Sequence, residues 1–170
     1  MRRALAGAAV VLAVTGCTSE PRRTSSGAGV EAFRPDRVLA EQTLRGVKEP
    51  ADFVDVAVTA LRVEGRVMLL ELAITPRRAS VPDRDRQSLI DLWGYVYTPE
   101  LIDRATLQRY EMLLSEADEY YASDPVDTYT VNRRPMRAYY YFAAPRDKPD
   151  VLDVVLSSRY PPLTDVPVSR

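Results

Sequence analysis

The strongest pattern in the chain is a period of two. Between residues 53 and 63, Val54, Val56, Val58 and Ala60 alternate with Asp55, Ala57 and Thr59, the rhythm of a strand with one buried face. Residues 67–75 repeat it with Met68, Leu70, Leu72 and Ile74 on one side, and Glu64-Gly65-Arg66 breaks the two runs, so a tight antiparallel hairpin is predicted. Residues 76–86 hold four arginines, two prolines and two aspartates and read as a solvated loop. Residues 89–97, with Leu92, Trp93, Tyr95 and Tyr97, predict a further strand, and the aromatic run 136–143 predicts another, closed by Ala144-Pro145. In residues 151–156 Leu152, Val154 and Leu156 point inward and Asp153 outward; Pro161-Pro162 then forces an extended connection into a short last strand over 163–168, where Pro167 suits an edge. Leu70, Leu72, Phe142 and Val154 are the expected shared core.

The middle of the chain supports two readings. Thr98-Pro99-Glu100 has the form of a helix N-cap with proline at the first helical position, and Leu107, Tyr110, Leu114, Ala117 and Tyr121 recur at helical spacing. The competing reading is a hairpin with arms at 100–103 and 109–114 and a turn at 104–108.

Before this folding region the character changes. Arg2 and Arg3 precede an apolar stretch over residues 4–14 that is too short to span a membrane stably, which is the shape of a signal peptide. Val14-Thr15-Gly16-Cys17, followed by polar Thr18-Ser19-Glu20, resembles the lipobox of bacterial lipoproteins. That resemblance implies diacylglyceryl transfer to the Cys17 thiol, cleavage between Gly16 and Cys17, and anchoring on the extracytoplasmic side of the cell membrane. More than one acyl chain is needed for stable attachment, at about 0.8 kcal/mol per buried CH₂. Residues 18–50 are polar and broken, with Pro21-Arg22-Arg23-Thr24-Ser25-Ser26-Gly27-Ala28-Gly29 the clearest flexible run, and residues 38–47 offer only a thin amphipathic lead-in. The expected domains are therefore a signal peptide over 1–16, a lipidated cysteine and tether over 17–50, and one folded unit over 51–170.

Composition narrows the chemistry. Of 170 residues none is histidine and one is cysteine, which removes histidine-based triads, histidine metal sites, zinc clusters and intrachain disulfides. With 23 basic against 24 acidic side chains the net charge is −1, so no strong field invites nucleic acid. Glu116, Asp118, Glu119, Asp124 and Asp127 form the densest acidic group, but they lack the ladder and glycine of a calcium loop and read as a solvated segment with nearly ordinary pKa values. No metal, cofactor or catalytic residue is expected. Tyr139 and Tyr141 lie on one side of the aromatic strand with Arg137, a candidate binding strip for sugars, a partner or, with Arg133 and Arg134, an anionic polymer; covering a neighbouring strand is the plainer use of those rings.

Taken together, the opening hairpin over 53–75, the segment Leu101-Ile102-Asp103-Arg104-Ala105-Thr106-Leu107-Gln108-Arg109-Tyr110, the ending Tyr141-Phe142-Ala143-Ala144-Pro145 and the closing Leu163-Thr164-Asp165-Val166-Pro167-Val168 resemble the immunoglobulin-like sandwich domains of secreted lipoproteins of high-GC Gram-positive bacteria, a group largely without assigned function. The resemblance implies an all-β, immunoglobulin-like sandwich of about seven to nine strands, and it favours the hairpin in the middle of the chain. Leu107-Gln108 stand where that pattern usually has glycine. It implies no catalytic residues and a module that binds or supports an envelope protein or wall polymer. The expected function is an envelope lipoprotein with a non-catalytic binding or accessory domain. The alternatives are a histidine-free hydrolase of wall glycans with paired carboxylates, and a structural spacer.

Overall fold

The computed structural model describes residues 33–45, 49, 51–93 and 98–170. Gly16 and Cys17, the rest of the expected signal peptide and most of the expected tether lie outside the described residues. Ten strands and one five-residue helix account for the regular structure among them. The fold is an all-β sandwich of antiparallel sheets.

The hairpin of β2 (Phe53–Glu64) and β3 (Val67–Arg77) is its spine. Gly65 takes φ +63°, as a two-residue hairpin loop with glycine first requires. Val54, Val56 and Val58 face inward, but the register shifts between Val58 and Ala60. This β-bulge changes the parity, so Leu61 is buried and Ala60, expected on the inner face, is not. On β3, Met68, Leu70, Leu72 and Ile74 are fully buried inward as the alternation predicts. Leu69, Glu71 and Ala73 on its outer face are nearly buried as well.

β1 (Ala40–Arg45) pairs with β2, and β8 (Met136–Ala143) pairs with β3, giving one four-stranded sheet in the order β1-β2-β3-β8. β1 falls in the segment expected as tether. Its burial alternates, with Leu44 fully buried against β2, and a sheet-edge strand needs no more apolar content than that. The second sheet has the order β10-β9-β5-β6, from β5 (Glu100–Asp103), β6 (Gln108–Tyr110), β9 (Val151–Val155) and β10 (Leu163–Pro167). A small sheet joins β4 (Arg86–Ser88) to β7 (Tyr129–Val131).

The middle of the chain is thus the hairpin and not the helix. Asp103 shapes its turn: one carboxylate oxygen accepts the Ala105 N–H at 2.8 Å, and the other accepts the Thr106 hydroxyl at 2.8 Å. Leu107 occupies the left-handed region at φ +57°, the conformation that glycine at this place would adopt freely.

The expected strand over 89–97 is corrected. Residues Leu89–Trp93 form a helix, α1, and 94–97 lie outside the described residues. The cause is local. Ser88 donates its N–H and its hydroxyl to one Asp91 carboxylate oxygen, at 2.9 and 2.7 Å, closing a capping box. Leu89, Leu92 and Trp93 then bury one helical face.

The inner faces of the two large sheets share one core that contains Leu70, Leu72, Phe142 and Val154, with Leu101, Leu152 and Val166 from the second sheet. The sheets are stitched at both sides. The chain leaves β6 and Met112 bridges Phe142 on β8; at the other side Ser169 pairs in parallel with the end of β2.

A polar lock closes one end. Asp52, almost fully buried, accepts hydrogen bonds from Arg78 Nε at 2.8 Å and from the Ser80 hydroxyl at 2.6 Å. Asn132 accepts the Arg78 N–H at 2.8 Å and donates to the Arg78 carbonyl at 2.9 Å. The arginine-rich loop after β3, expected to be solvated throughout, is therefore fastened at its start to buried side chains.

Candidate functional site

Two places on the sandwich merit consideration, and both involve β8. Its outward face carries the strip expected from the sequence. Arg137, Tyr139 and Tyr141 share that face, and the two rings meet edge to face with centroids 5.9 Å apart. Much of this surface is engaged by the fold. Arg137 forms an ion pair with Glu71, which also accepts a hydrogen bond from the Thr59 hydroxyl at 2.8 Å. Tyr139 stands opposite Glu71 and Tyr141 opposite Leu69 in the β3–β8 register, which accounts for the burial of the outer face of β3. Tyr139 remains 42% exposed. Arg133, one of the flanking arginines, lies on an exposed turn and pairs with Asp83 at 3.6 Å.

The second place is a cavity of about 550 Å³ at the free side of β8. It exists because residues 112–123 leave the edge of the sandwich, turn back and rejoin it. Leu113 donates its N–H to the Tyr141 carbonyl at 2.8 Å, and Tyr141 donates to the Tyr121 carbonyl at 2.9 Å, so both arms of the excursion rest on one β8 residue. Leu114 bridges Tyr120, and the tip is tied by Ser115, whose hydroxyl oxygen accepts the N–H groups of Ala117 and Glu119. Asp118, at the tip, has φ +58°. After the excursion, the Ser123 N–H bonds to the Tyr139 carbonyl at 2.8 Å and the Ser123 hydroxyl oxygen accepts the Tyr139 N–H at 2.9 Å.

Asp124 begins the opposite wall. One carboxylate oxygen accepts the N–H groups of Val126 at 2.7 Å and Asp127 at 2.9 Å. These two backbone donors hold the Asp124 carboxyl below the usual carboxylate range. The turn is pinned to α1, whose Ile90 N–H reaches the Pro125 carbonyl at 3.0 Å while the Leu89 N–H reaches the Thr128 carbonyl at 3.1 Å. The first residue of α1, Leu89, thus lines the cavity.

The lining divides by chemistry. Leu89, Met112, Ala122, Pro125 and the ring of Tyr140 supply apolar surface, and burial pushes the Tyr140 phenol well above its ordinary pKa. Asp118, Glu119 and Asp124 are its acidic members, and all three are exposed. Among the described residues none that lines the cavity is basic, and none of the three carboxylates is in an ion pair. The acidic segment expected to be merely solvated therefore contributes three of its members to a concave surface, while Glu116 and Asp127 stay outside it. Among the described residues no group of three or more acidic or cysteine side chains is placed to hold a metal ion.

Sequence reasoning missed Leu89, Met112, Ser123 and Tyr140 as cavity residues because they come from four separate segments. The available signal was Asp124-Pro125, a turn-initiating pair directly after an acidic, aromatic stretch. No family model, curated protein or solved structure matches the chain. Its site is consequently read from its own geometry. No helix among the described residues is long and apolar enough to cross a membrane.

Proposed function

We propose that this chain is an extracytoplasmic lipoprotein whose sandwich is a non-catalytic binding domain of immunoglobulin-like kind. Support for the anchor is Val14-Thr15-Gly16-Cys17 behind a basic head and a short apolar stretch. Support for the immunoglobulin-like assignment is two four-stranded antiparallel sheets sharing one core, with hairpins and long crossings between sheets. The observation that carries the binding role is the cavity beside β8, whose volume lies in the range that holds small ligands or the anchoring side chain of a partner. A spacer has no use for such a concavity.

The histidine-free hydrolase is a second reading, favoured by the presence of three carboxylates at one cavity. It requires one of them to hold a proton at neutral pH as general acid. Asp124 is unsuited to that role, because the N–H groups of Val126 and Asp127 favour its charged form.

Cross-linking the full chain in living cells, followed by mass spectrometry of the attached species, tests the binding role. A discrete envelope partner is expected, joined through residues at the cavity or the β8 strip. Attachment only to random neighbours over the whole surface refutes it. For the anchor, Cys17→Ser removes the sole sulfur able to accept the lipid, so lipid labelling and processing should both vanish. A wild-type chain that enters the aqueous phase of a detergent separation refutes the anchor. Release of sugars from wall glycan by the purified chain, abolished by Asp124→Asn, replaces the binding reading with the hydrolase.

A further inference from the structure

We infer that the cavity beside β8 is a site for an organic ammonium ion carried on an apolar body, an inference that rests on the binding role proposed above. Three features converge on that class. The floor is apolar, with Leu89, Met112 and Pro125 offering surface that gains from covering a hydrocarbon or ring. Three acidic residues, Asp118, Glu119 and Asp124, line the cavity, and among the described lining residues none is basic. Field lines in a concave, partly apolar site are focused and not dispersed, so charge of one sign accumulates attraction for the opposite sign. Tyr120, 43% exposed, also lines the space, and an aromatic ring beside an ammonium group adds attraction beyond apolar contact.

Each alternative ligand class fails on one feature. An anion would meet only like charge. A neutral sugar could hydrogen-bond to the acidic residues and pack a C–H face on the apolar ones, but it would draw no advantage from their net charge. A bare divalent cation has no set of three acidic or cysteine side chains placed to hold it among the described residues. An amphiphilic cation satisfies the floor and the rim together, with the ammonium directed to the carboxylates and the body to Leu89 and Met112.

The carboxylates can be neutralised without disturbing the walls. Asp118 and Glu119 are exposed, and the bonds that shape their tip come from Ser115 and the backbone. Asp124→Asn keeps a side-chain carbonyl oxygen to accept the Val126 and Asp127 N–H groups. The triple variant Asp118→Asn/Glu119→Gln/Asp124→Asn should therefore fold as the parent does, which its amide spectrum reports directly.

The test uses the full ¹⁵N-labelled chain in a non-ionic detergent without ammonium groups, titrated with phenethylamine and, separately, with 2-phenylethanol, a neutral molecule of nearly the same shape. Phenethylamine is expected to shift the amides of Leu89, Met112, Ala122 and Ser123 saturably, and the alcohol to bind about tenfold more weakly. The triple variant should lose about tenfold in affinity for the amine and nothing for the alcohol, the size expected when a few partly exposed charge interactions are removed together. Raised salt should weaken only the amine. Equal affinity for the two probes, an unchanged amine affinity in the triple variant, or shifts confined to Tyr139 and Tyr141 overturns the inference. If neither probe binds while the chain still cross-links to one envelope partner, the ammonium site is refuted and the binding role stands.

Discussion

Asp52→Ala is the most informative perturbation of the fold, because it removes one half of a buried charge pair. Asp52 is only 2% exposed, and it receives the Arg78 Nε at 2.8 Å, the Ser80 hydroxyl at 2.6 Å and the Ser80 N–H at 3.2 Å. Loss of one partner from such a pair costs about 3–5 kcal/mol, chiefly from the charge left behind in a poorly solvated place. Here the lower end applies. The Arg78 side chain keeps 15% of its surface in water and a second acceptor in Gln87 at 3.3 Å, so its stranded guanidinium is partly compensated. The reverse change, Arg78→Met, leaves the carboxylate with both Ser80 donors and should cost about 2 kcal/mol. In the double variant no charge is stranded, so its loss should fall short of the sum of the singles by at least about 1 kcal/mol. Urea denaturation of the three variants, with midpoint shifts at constant slope, measures each term. Losses that simply add would show that the pair is solvated and refute the reasoning.

The pH dependence of the same pair follows with a definite sign. Burial pushes the Asp52 carboxyl up, but the Ser80 and Arg78 hydrogen bonds outweigh it, and the net shift is downward. A depressed folded pKa contributes stability that is complete above the unfolded value of about 3.9 and lost as pH falls through the folded value. The gap between wild type and Asp52→Ala should accordingly be constant from neutral pH down to about pH 5 and narrow below about pH 4. Asp103 and Asp124, also depressed by hydrogen bonds, add to the acid sensitivity of both proteins equally.

Two further substitutions test separate parts of the fold. Phe142 is fully buried, so Phe142→Ala should cost about 3–5 kcal/mol in denaturant unfolding, and a near-neutral midpoint would remove it from the core. Leu107 is 85% exposed at φ +57°, so Leu107→Gly sacrifices no packing. It relieves a left-handed backbone worth about 1–2 kcal/mol against a smaller entropy loss from glycine, for a net gain near 0.5–1 kcal/mol; a lowered midpoint would contradict this.

What could be read from the sequence, and what could not, follows from the range of the forces involved. The β2–β3 hairpin was legible because its alternation is long and its glycine sits at the turn, two local signals that agree. In β8 the rings alternate as the strand demands, and Phe142 and Tyr140 face the core. The strand over 89–97 was misread because aromatic content was weighed above spacing: Leu89, Leu92 and Trp93 stand at helical intervals, and Ser88 and Asp91 are a capping pair. The bulge in β2 has no sequence mark, since Thr59 and Ala60 suit either face; it takes effect through Thr59 reaching Glu71 on the next strand. β1 was hidden for the opposite reason, as an edge strand with one fully buried aliphatic residue, Leu44, carries too little periodicity to stand out.

The cavity depends on contacts between distant segments, and that distance is what makes it informative. Its acidic residues lie within one short stretch, where they read as a solvated loop, while its apolar floor comes from Leu89 on a helix, Met112 at the crossing between sheets and Tyr140 on a core strand. A solvated loop has no reason to be held at five backbone positions by β8 and α1, yet Leu113, Tyr121, Ser123, Pro125 and Thr128 all spend main-chain groups on that anchorage. Ordering those residues costs backbone entropy of about 1–2 kcal/mol each, and the hydrogen bonds gained roughly offset it without surplus. What holds the excursion beyond those bonds is the packing of Met112 and Ala122, at its two ends, against the core. Under the binding role proposed above, the same anchorage fixes acidic residues beside apolar ones around one concavity, and a preorganised concavity of that kind lowers the entropic cost of binding.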